Sequence, residues 1–243
     1  MRFLRFFYPN PLKINEIAIL ADEVAHKVRK VLRLNVNQKI TLVCGDGKDY
    51  LGEIIAIDKK EVQVEILEII DNQDGIFQLD LYLAIIKIDN FELVLQKAVE
   101  LGVKRIFPVI SRHCDITFSH EQWNKKEKRF QEIIINAAMQ CGRSSWCELL
   151  KPIKFAEINS DAEIKIIFSP YDDDKYNIEE CKNNNITTAA ILIGPEGGFS
   201  SEEVKFAREK NWQARQIGRR ILRAETAAIA AMVLIQEKYA NWQ

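Results

Sequence analysis

The sequence predicts an α/β protein in which a small β domain precedes a larger domain built on a parallel sheet. Short β-branched runs dominate residues 1–73, and beyond them apolar strand-like runs alternate with helical patterns, which is typical of parallel sheets. The 243 residues, of which 47% are hydrophobic and 28% charged, can bury a substantial core and do not fit a disordered or coiled-coil chain.

The first domain, predicted over residues 1–73, rests on three alternating strands and one short helix. The strands are predicted at Lys39–Cys44, Tyr50–Ile57 and Glu61–Ile69. The helix is expected from about Asp22 to Leu32. Because closing such strands on themselves removes open sheet edges, a small barrel is the expected form.

The second domain, predicted over residues 74–243, alternates strands with helices. Its strands are predicted at Leu79–Ile86, Arg105–Ile110, Glu163–Phe168, Ala189–Ile193 and Ala214–Ile217. Its helices are predicted near Asn90–Leu101, Trp123–Cys141, Asn177–Asn183, Ser200–Asn211 and Glu225–Tyr239. Ligands of open α/β sheets bind beyond the carboxyl ends of the strands, so loops at those ends are candidate sites.

One such loop, Gly194–Gly198, has three glycines in five residues and follows an uncharged strand. Glycines allow backbone groups to approach a ligand closely. Ser200 and Glu203 have the spacing of a capping box that begins the next helix. The loop matches neither a P-loop nor the G-x-G-x-x-G dinucleotide pattern. On its residues alone, a ligand-binding loop and a plain strand–helix turn remain equally open.

A second loop, Ile217–Thr226, leads into an alanine-rich helix. Residues 214–223 hold four arginines and no acid. The helix dipole favours Glu225 at a helix start but opposes Arg223 there, which indicates a task for Arg223 other than helix stability. The alternative is a solvated surface arginine.

The net charge of −1 is the sum of oppositely charged segments. Residues 2–33 carry seven basic and three acidic side chains, whereas residues 157–180 carry eight acids and two lysines. Lys27, Arg29, Lys30 and Arg33 are expected on the outer face of the first helix, where they form a phosphate-binding patch or a solvated face.

No segment has the pattern of a signal peptide or a membrane span, so we expect no membrane partner and a cytoplasmic location. The five cysteines include no C-x-x-C pair and are expected to be reduced. No metal site is expected, because the adjacent pair His113–Cys114 is a weak signal for ligands.

The order and spacing of seven blocks resemble the 16S ribosomal RNA uridine-N3 methyltransferases, the ribosomal RNA small subunit methyltransferase E family of the SPOUT superfamily. The blocks are RFFYP near the start, HKVRKVLRL at 26–34, CGDGKDYLGEI at 44–54, IIKIDNFELVLQKAVELGVKRIFPVISRHC at 85–114, NAAMQCGR at 136–143, LIGPEGGFSSEEV at 192–204 and IGRRILRAETAAIAA at 217–231. The last two blocks are the most specific of the seven.

The resemblance implies a PUA-like RNA-binding β-barrel over 1–73 and a SPOUT-type parallel sheet over 74–243, with a C-terminal trefoil knot that holds S-adenosyl-L-methionine (SAM). It implies a homodimer that acts on 16S rRNA or the small ribosomal subunit. The cofactor contacts carried over by position are Leu192, Gly194, Gly197, Ile217, Gly218 and Leu222. The polar edge that faces the uracil, and so the catalytic set, is Arg223 with Glu196 and Glu225. The RNA-binding set is Lys27, Arg29, Lys30, Arg33 and Arg143.

Two positions depart from the family pattern, and three other functions stay open. Ala224 stands where the family usually has Thr, and Met139 where it usually has Glu, so a polar role is not assumed at either. The alternatives are a SPOUT methyltransferase acting on another RNA site, a non-catalytic RNA-binding or ribosome-assembly protein, and a nucleotide-dependent enzyme. The last is the weakest, because no Walker lysine accompanies the glycine loop.

Overall fold

A computed structural model describes residues 3–72, 75–169 and 186–240 and forms two compact units. The first contains residues 1–74 together with 138–146, and the second contains 75–137 together with 147–243. The predicted boundary after residue 73 therefore misplaces one segment, 138–146, which the sequence pattern assigned to the α/β domain. It was misplaced because its only local signal, a helix ending at Gly142, says nothing about which unit it packs on.

The first unit is a five-stranded sheet with the order β1-β3-β4-β5-β2. Its strands are β1 Arg5–Phe7, β2 Ile17–Leu20, β3 Lys39–Val43, β4 Lys48–Ile57 and β5 Val62–Asp71. The pairing is antiparallel except between β1 and β3, and in the described residues it runs from β1 to β2 without closing. The three predicted strands are confirmed as β3, β4 and β5, whereas β1 and β2 are too short to show an alternation.

The predicted helix of this unit has two parts. Helix α1, Asp22–His26, continues directly into a π-helical stretch at Lys27–Val31. Ala25 and Val28 are buried against the sheet, so the intervening basic residues are directed away from the core. A π-helical stretch is rare and frequently accompanies a functional site.

Residues 142–146 are fixed to the first unit by polar contacts and by one aromatic ring. Arg5 forms a salt bridge of 2.6 Å with Asp49, and its Nη2 donates to the Arg143 carbonyl at 3.0 Å and to Ser144 Oγ at 2.8 Å. The Trp146 ring covers Gly45, whose φ of +91° requires glycine and whose missing side chain leaves room for the indole. These contacts explain why the segment belongs to this unit.

The second unit is a parallel sheet with the order β12-β10-β11-β6-β7-β8, to which β9 adds a further pair with β7. Its strands are β6 Gln78–Ala84, β7 Val103–Ile110, β8 Glu148–Leu149, β9 Ile153–Lys154, β10 Ile164–Phe168, β11 Thr188–Ile193 and β12 Gln213–Arg215. The five predicted strands are confirmed as β6, β7, β10, β11 and β12, and so is the α/β class.

The helices of this unit also follow the predicted order. They are α2 Ile88–Glu100, α3 His120–Cys141, α4 Ser201–Glu209 and α5 Ala224–Tyr239, with a 3₁₀ turn at Phe155–Glu157. The helix predicted at Asn177–Asn183 lies outside the described residues. No helix in the described part of the chain is long and apolar enough to cross a membrane.

Apolar spacing explains how the helices pack on the sheet. Helix α2 buries Phe91, Val94, Leu95, Ala98 and Val99, the three-and-four spacing of one helical face. The Gln236 side chain of α5 donates to the Leu101 carbonyl at 2.7 Å and so ties α5 to the end of α2. Strand β6 lies between β7, which follows it in the chain, and β11, which comes much later. The order of the strands along the chain therefore changes direction between β6 and β11. Open α/β sheets bind ligands at such a point.

Candidate functional site

A cavity of about 500 Å³ lies at the carboxyl ends of β6, β10 and β11. Its volume is within the range of small-molecule and cofactor sites. The lining combines two lysine or arginine side chains and two carboxylates with an apolar wall. The lining residues are Lys87, Asn90, Phe168, Ile193, Gly194, Pro195, Glu196, Gly197, Gly198, Ile221, Leu222, Arg223, Ala224, Glu225 and Ala227.

The Gly194–Gly198 loop forms one wall of this cavity and depends on its glycines. The Gly198 N–H donates to the Pro195 carbonyl at 2.9 Å, and Gly198 has a φ of +69°. A Cβ on Gly197 would lie 2.9 Å from the Cβ of His113, and one on Gly194 would lie 3.2 Å from the Phe199 ring. A side chain at Gly197 would therefore force the loop or His113 to shift, and one at Gly194 would press against the Phe199 ring.

The predicted capping box after the loop is confirmed. Ser200 Oγ accepts from the Glu203 N–H at 3.2 Å, and the Glu203 carboxylate accepts from the Ser200 N–H at 2.9 Å. Two orphan donors at the start of α4 are thereby satisfied. The helix start, and with it the end of the glycine loop, has a fixed position.

A strap formed by Arg112 and His113, just after β7, holds this loop from outside. His113 Nδ1 lies 3.2 Å from the Gly198 carbonyl oxygen. The Arg112 N–H donates to Glu203 at 2.8 Å, and its guanidinium pairs with Glu202 at 3.2 Å. Sequence reasoning missed this role, because the strap lies about 85 residues from the loop and its residues have no local motif.

Glu196 is held by the backbone of Lys87 rather than by Arg223. The Lys87 N–H, which immediately precedes α2, donates to Glu196 Oε1 at 3.2 Å. Among the described residues, neither Glu196 nor Glu225 forms a hydrogen bond or ion pair with Arg223. The cavity nevertheless brings together the three residues predicted as the polar edge. It adds Lys87 and Asn90, which sequence reasoning also missed.

The second predicted loop supplies the opposite wall. Gly218 has a φ of +68°, and Arg223 is the extended residue before α5, where its carbonyl accepts from the Ala227 N–H at 2.8 Å. The Arg223 side chain is exposed and Glu225 is half-buried. Ala224, one of the two departures, is buried at the start of α5 and also lines the cavity.

Three of the predicted cofactor residues line the cavity and three do not. Gly194, Gly197 and Leu222 are on its walls. Leu192 is fully buried in the sheet, where it packs with a core cluster of β10, β11 and β6. Ile217 and Gly218 also do not line the cavity, because the lining part of their loop begins at Ile221. Cofactor contacts for all six residues stay predictions.

The predicted RNA-binding residues of the first unit differ in exposure. Lys27, Lys30 and Arg33 are exposed. Arg29 is half-buried, and its Nε and Nη1 donate to the carbonyls of Ala25 at 3.2 Å and Asp58 at 3.0 Å, as well as to the Lys59 carbonyl. Arg29 thus braces the turn that carries the exposed Lys59 and Lys60.

Met139 lies in the last turn of α3, and Arg143 follows two residues after the end of this helix. Arg143 is 9% exposed, so it is not on an open surface like the bases of the helical stretch. Met139 is half-buried in α3. An RNA contact for Arg143 stays a prediction. In the described residues no group of three potential ligands is arranged to hold a metal ion.

Comparison with known proteins identifies the family. Residues 73–236 match the RNA methyltransferase domain, and residues 20–67 match the RNA methyltransferase PUA domain. The ribosomal RNA small subunit methyltransferase E of Buchnera aphidicola (Schizaphis graminum) is 30% identical over 99% of this chain and 98% of its own. That of Rickettsia conorii is 29% identical over 97% and 96%.

Two solved structures resemble the chain over nearly its whole length. A Legionella pneumophila protein, solved in complex with SAM, is 31% identical with a TM-score of 0.86 over 98% of both chains. A ribosomal RNA small subunit methyltransferase E from Neisseria gonorrhoeae, bound to S-adenosyl methionine, is 30% identical with the same TM-score and coverage. The chain belongs to the ribosomal RNA small subunit methyltransferase E family.

Proposed function

We propose that this protein transfers a methyl group from SAM to N3 of a specific uridine in 16S rRNA. The observation that carries the proposal is the cavity at the sheet switch point, where a glycine-rich wall faces a wall that carries Arg223. Family membership and the SAM-bound relatives at 30–31% identity support it.

The cavity fits the cofactor in shape and chemistry. Gly194 and Gly197 leave backbone groups accessible, and Ile193, Leu222 and Phe168 supply apolar surface for an adenine ring. Bound there, SAM would supply a methyl group already activated by its sulfonium charge. For Leu192, Ile217 and Gly218, which do not line the cavity, contact with SAM rests on the family resemblance alone.

The protein's own residues then have to align the uracil and stabilise its charge. N3 becomes a nucleophile as its proton leaves, and negative charge spreads onto O2 and O4. The exposed Arg223 would stabilise this charge or hold the adjacent phosphate, as a fixed donor does in an oxyanion hole. Glu196, held by Lys87 N–H, and Glu225, at the favourable start of α5, would complete the polar edge. Among the described lining residues there is no histidine, so the proposal leaves the proton to solvent.

We propose that RNA phosphates are bound by the exposed basic side chains Lys27, Lys30 and Arg33 of the first unit. The Nη2 of Arg29, which has no partner among the described residues, and the side chain of Arg143 would add further contacts. Lys59 and Lys60 extend this patch, because Arg29 holds their turn beside the helical stretch. Reversing the charges of Lys27, Lys30 and Arg33 should reduce the slope of the logarithm of the RNA-binding constant against the logarithm of salt concentration by about two to three. The matched control reverses Lys13 and Lys48, two exposed lysines outside the patch. An unchanged slope in the triple variant would contradict the RNA patch.

We also propose a homodimer. Helix α5 is apolar around much of its circumference and exposes Val233 and Leu234, and α2, which packs against it, exposes Leu93. An apolar helix face on this scale favours a protein partner, and a second copy is the simplest one. Light scattering on the purified protein tests this, and a monomer at micromolar concentration would contradict it.

The deep trefoil knot and a cytoplasmic location complete the proposal. Knots are rare among protein folds, so the knot rests on the family resemblance together with the parallel sheet and the two cavity loops. An experimental structure with an unknotted backbone would contradict it. Ribosomal subunits are assembled in the cytoplasm, so the proposed substrate implies that compartment.

One experiment separates the proposed reaction from its alternatives. Purified protein is incubated with SAM and small ribosomal subunits from a strain lacking the enzyme, and the 16S rRNA nucleosides are identified by mass spectrometry. We expect N3-methyluridine at one position. A 2′-O-methyl product or a product in transfer RNA would indicate another SPOUT activity. The absence of both product and heat on titration with SAM would indicate a non-catalytic RNA-binding protein.

A further inference from the structure

Ile221 is unusually exposed for a large apolar side chain at a cavity. It is 70% exposed, yet it lines the cavity mouth beside the half-buried Leu222. The left-handed φ of Gly218 turns the chain just before it, so that residues 219–221 are presented outward. The apolar contact area of Ile221 is available to a partner that approaches the cavity.

The side chains around Ile221 are cationic and have no described partners. The guanidinium groups of Arg219, Arg220 and Arg223 are exposed and form no hydrogen bond or ion pair with any described residue. Residues 214–223 contain no acid. A partner at this rim must therefore carry negative charge and also offer apolar surface.

RNA combines both properties, because its phosphates are anionic and its base faces are apolar. A second copy of the chain fits this rim less well, since it would bring the same arginines. The uncharged surface of Val233, Leu234 and Leu93 suits a second copy better.

We propose that Ile221 is a wedge that enters the RNA stack in the place of the target uridine, while Arg219 and Arg220 bind the flanking phosphates. A base that undergoes chemistry inside a pocket must leave its stack, and apolar side chains inserted between bases compensate for the lost stacking. The cavity receives the extruded uracil, and the rim residue beside it fills the gap. This inference rests on the proposed methylation of a uridine.

The test compares Ile221→Ser with Ile76→Ser, which alters another exposed isoleucine of the same unit at 84% exposure. We expect Ile221→Ser to lower kcat/KM on small ribosomal subunits about tenfold, in line with a lost stacking contact, and Ile76→Ser to leave it unchanged. SAM affinity and molecular mass should stay at the wild-type values in both variants. Ile221→Leu, which keeps the apolar bulk, should retain most activity.

A structural readout on the RNA completes the test. Ribose-reactivity probing of subunits should show the target uridine becoming reactive when wild-type protein binds, and much less so with Ile221→Ser. Undiminished kcat/KM, unchanged reactivity, or a loss accompanied by altered SAM affinity or dimer mass would overturn the wedge. The proposed function is judged separately by the wild-type product: N3-methyluridine formed by wild-type protein supports it whatever Ile221 does.

Discussion

The two loops that face each other across the cavity differ in what holds them. The Gly194–Gly198 loop is fixed by contacts from distant parts of the chain: His113 against Gly198, Lys87 N–H on Glu196, and the capping box just beyond. The 217–223 loop carries three exposed arginines whose side chains form no hydrogen bond or ion pair with any described residue. Contacts within the protein hold the glycine loop in shape without a ligand. The 217–223 loop instead carries arginine side chains that are available to bind one.

This difference indicates a division of labour. A wall already held in shape suits a small cofactor, because its binding then needs little ordering of the protein. A wall with unpaired cations and an exposed isoleucine suits a large anionic substrate that supplies the missing partners. Changes at the glycines of the first loop should therefore act on cofactor affinity, and changes at the arginines of the second on turnover.

The largest effect is expected from Arg223→Ala. Removing one donor that stabilises developing charge costs about 10²–10³ in turnover, and we expect a loss of that order in kcat. SAM affinity, measured by isothermal titration, should remain near the wild-type value. Arg223→Lys keeps the charge without the planar fork and should recover part of the loss. Wild-type turnover in Arg223→Ala would remove Arg223 from the catalytic set.

The next effect is expected from Gly197→Ala. The new Cβ would lie 2.9 Å from the His113 Cβ, so either the loop or the strap has to shift. We expect SAM affinity to fall about tenfold, a cost typical of overpacking a tight contact. Gly75→Ala is the matched control, because a Cβ at Gly75 meets nothing within 4 Å. If both variants bind SAM equally well, the glycine wall is not the cofactor wall.

A smaller effect is expected from His113→Ala, which removes the contact between Nδ1 and the Gly198 carbonyl. The net free energy of one hydrogen bond is about 1 kcal/mol, and its loss corresponds to a fall of about fivefold in SAM affinity. Because His113 acts through the loop, kcat at saturating SAM should hardly change. His113→Asn, which can still donate to the carbonyl, should bind SAM more tightly than His113→Ala. A fall in kcat with unchanged SAM affinity would contradict this positioning role.

The sequence predicted the strands and the two loops well, because these depend on local patterns. The apolar run Ala189–Ile193, the Ser200–Glu203 spacing and the cluster of arginines before α5 are all short-range signals. They placed the cavity at the correct edge of the sheet, since the carboxyl ends of parallel strands meet there.

The contacts that hold the site depend on tertiary packing and were not predictable from the sequence. Lys87 and His113 reach the glycine loop across 109 and 85 residues, and neither has a motif that points to this role. The local pattern around Ser144 indicates only a helix that ends at Gly142, whereas Ser144 Oγ accepts from Arg5, 139 residues earlier in the same unit. Arg29 was predicted as a phosphate contact from its charge alone, while two of the three carbonyls that accept from it belong to a turn about 30 residues away.

The smallest effect is expected at Glu202, at the start of α4, and concerns how far acid lowers the melting temperature (Tm). The pKa of Glu202 is lowered, first by its own backbone N–H, then by Ser200, with Arg112 also contributing. A carboxylate with a lowered folded-state pKa stabilises the fold above its unfolded value of about 4.3, and the contribution is lost as the pH falls through the folded value. Because the Glu202 side chain is largely exposed, Glu202→Gln should reduce the fall in Tm between pH 5 and pH 3 only slightly, and should leave the Tm at pH 7 a little lower. Thermal melts across this range measure it, with the exposed Glu209→Gln of the same helix as control. A steeper acid loss in Glu202→Gln than in wild type would mean that the ionised carboxylate does not stabilise the start of α4.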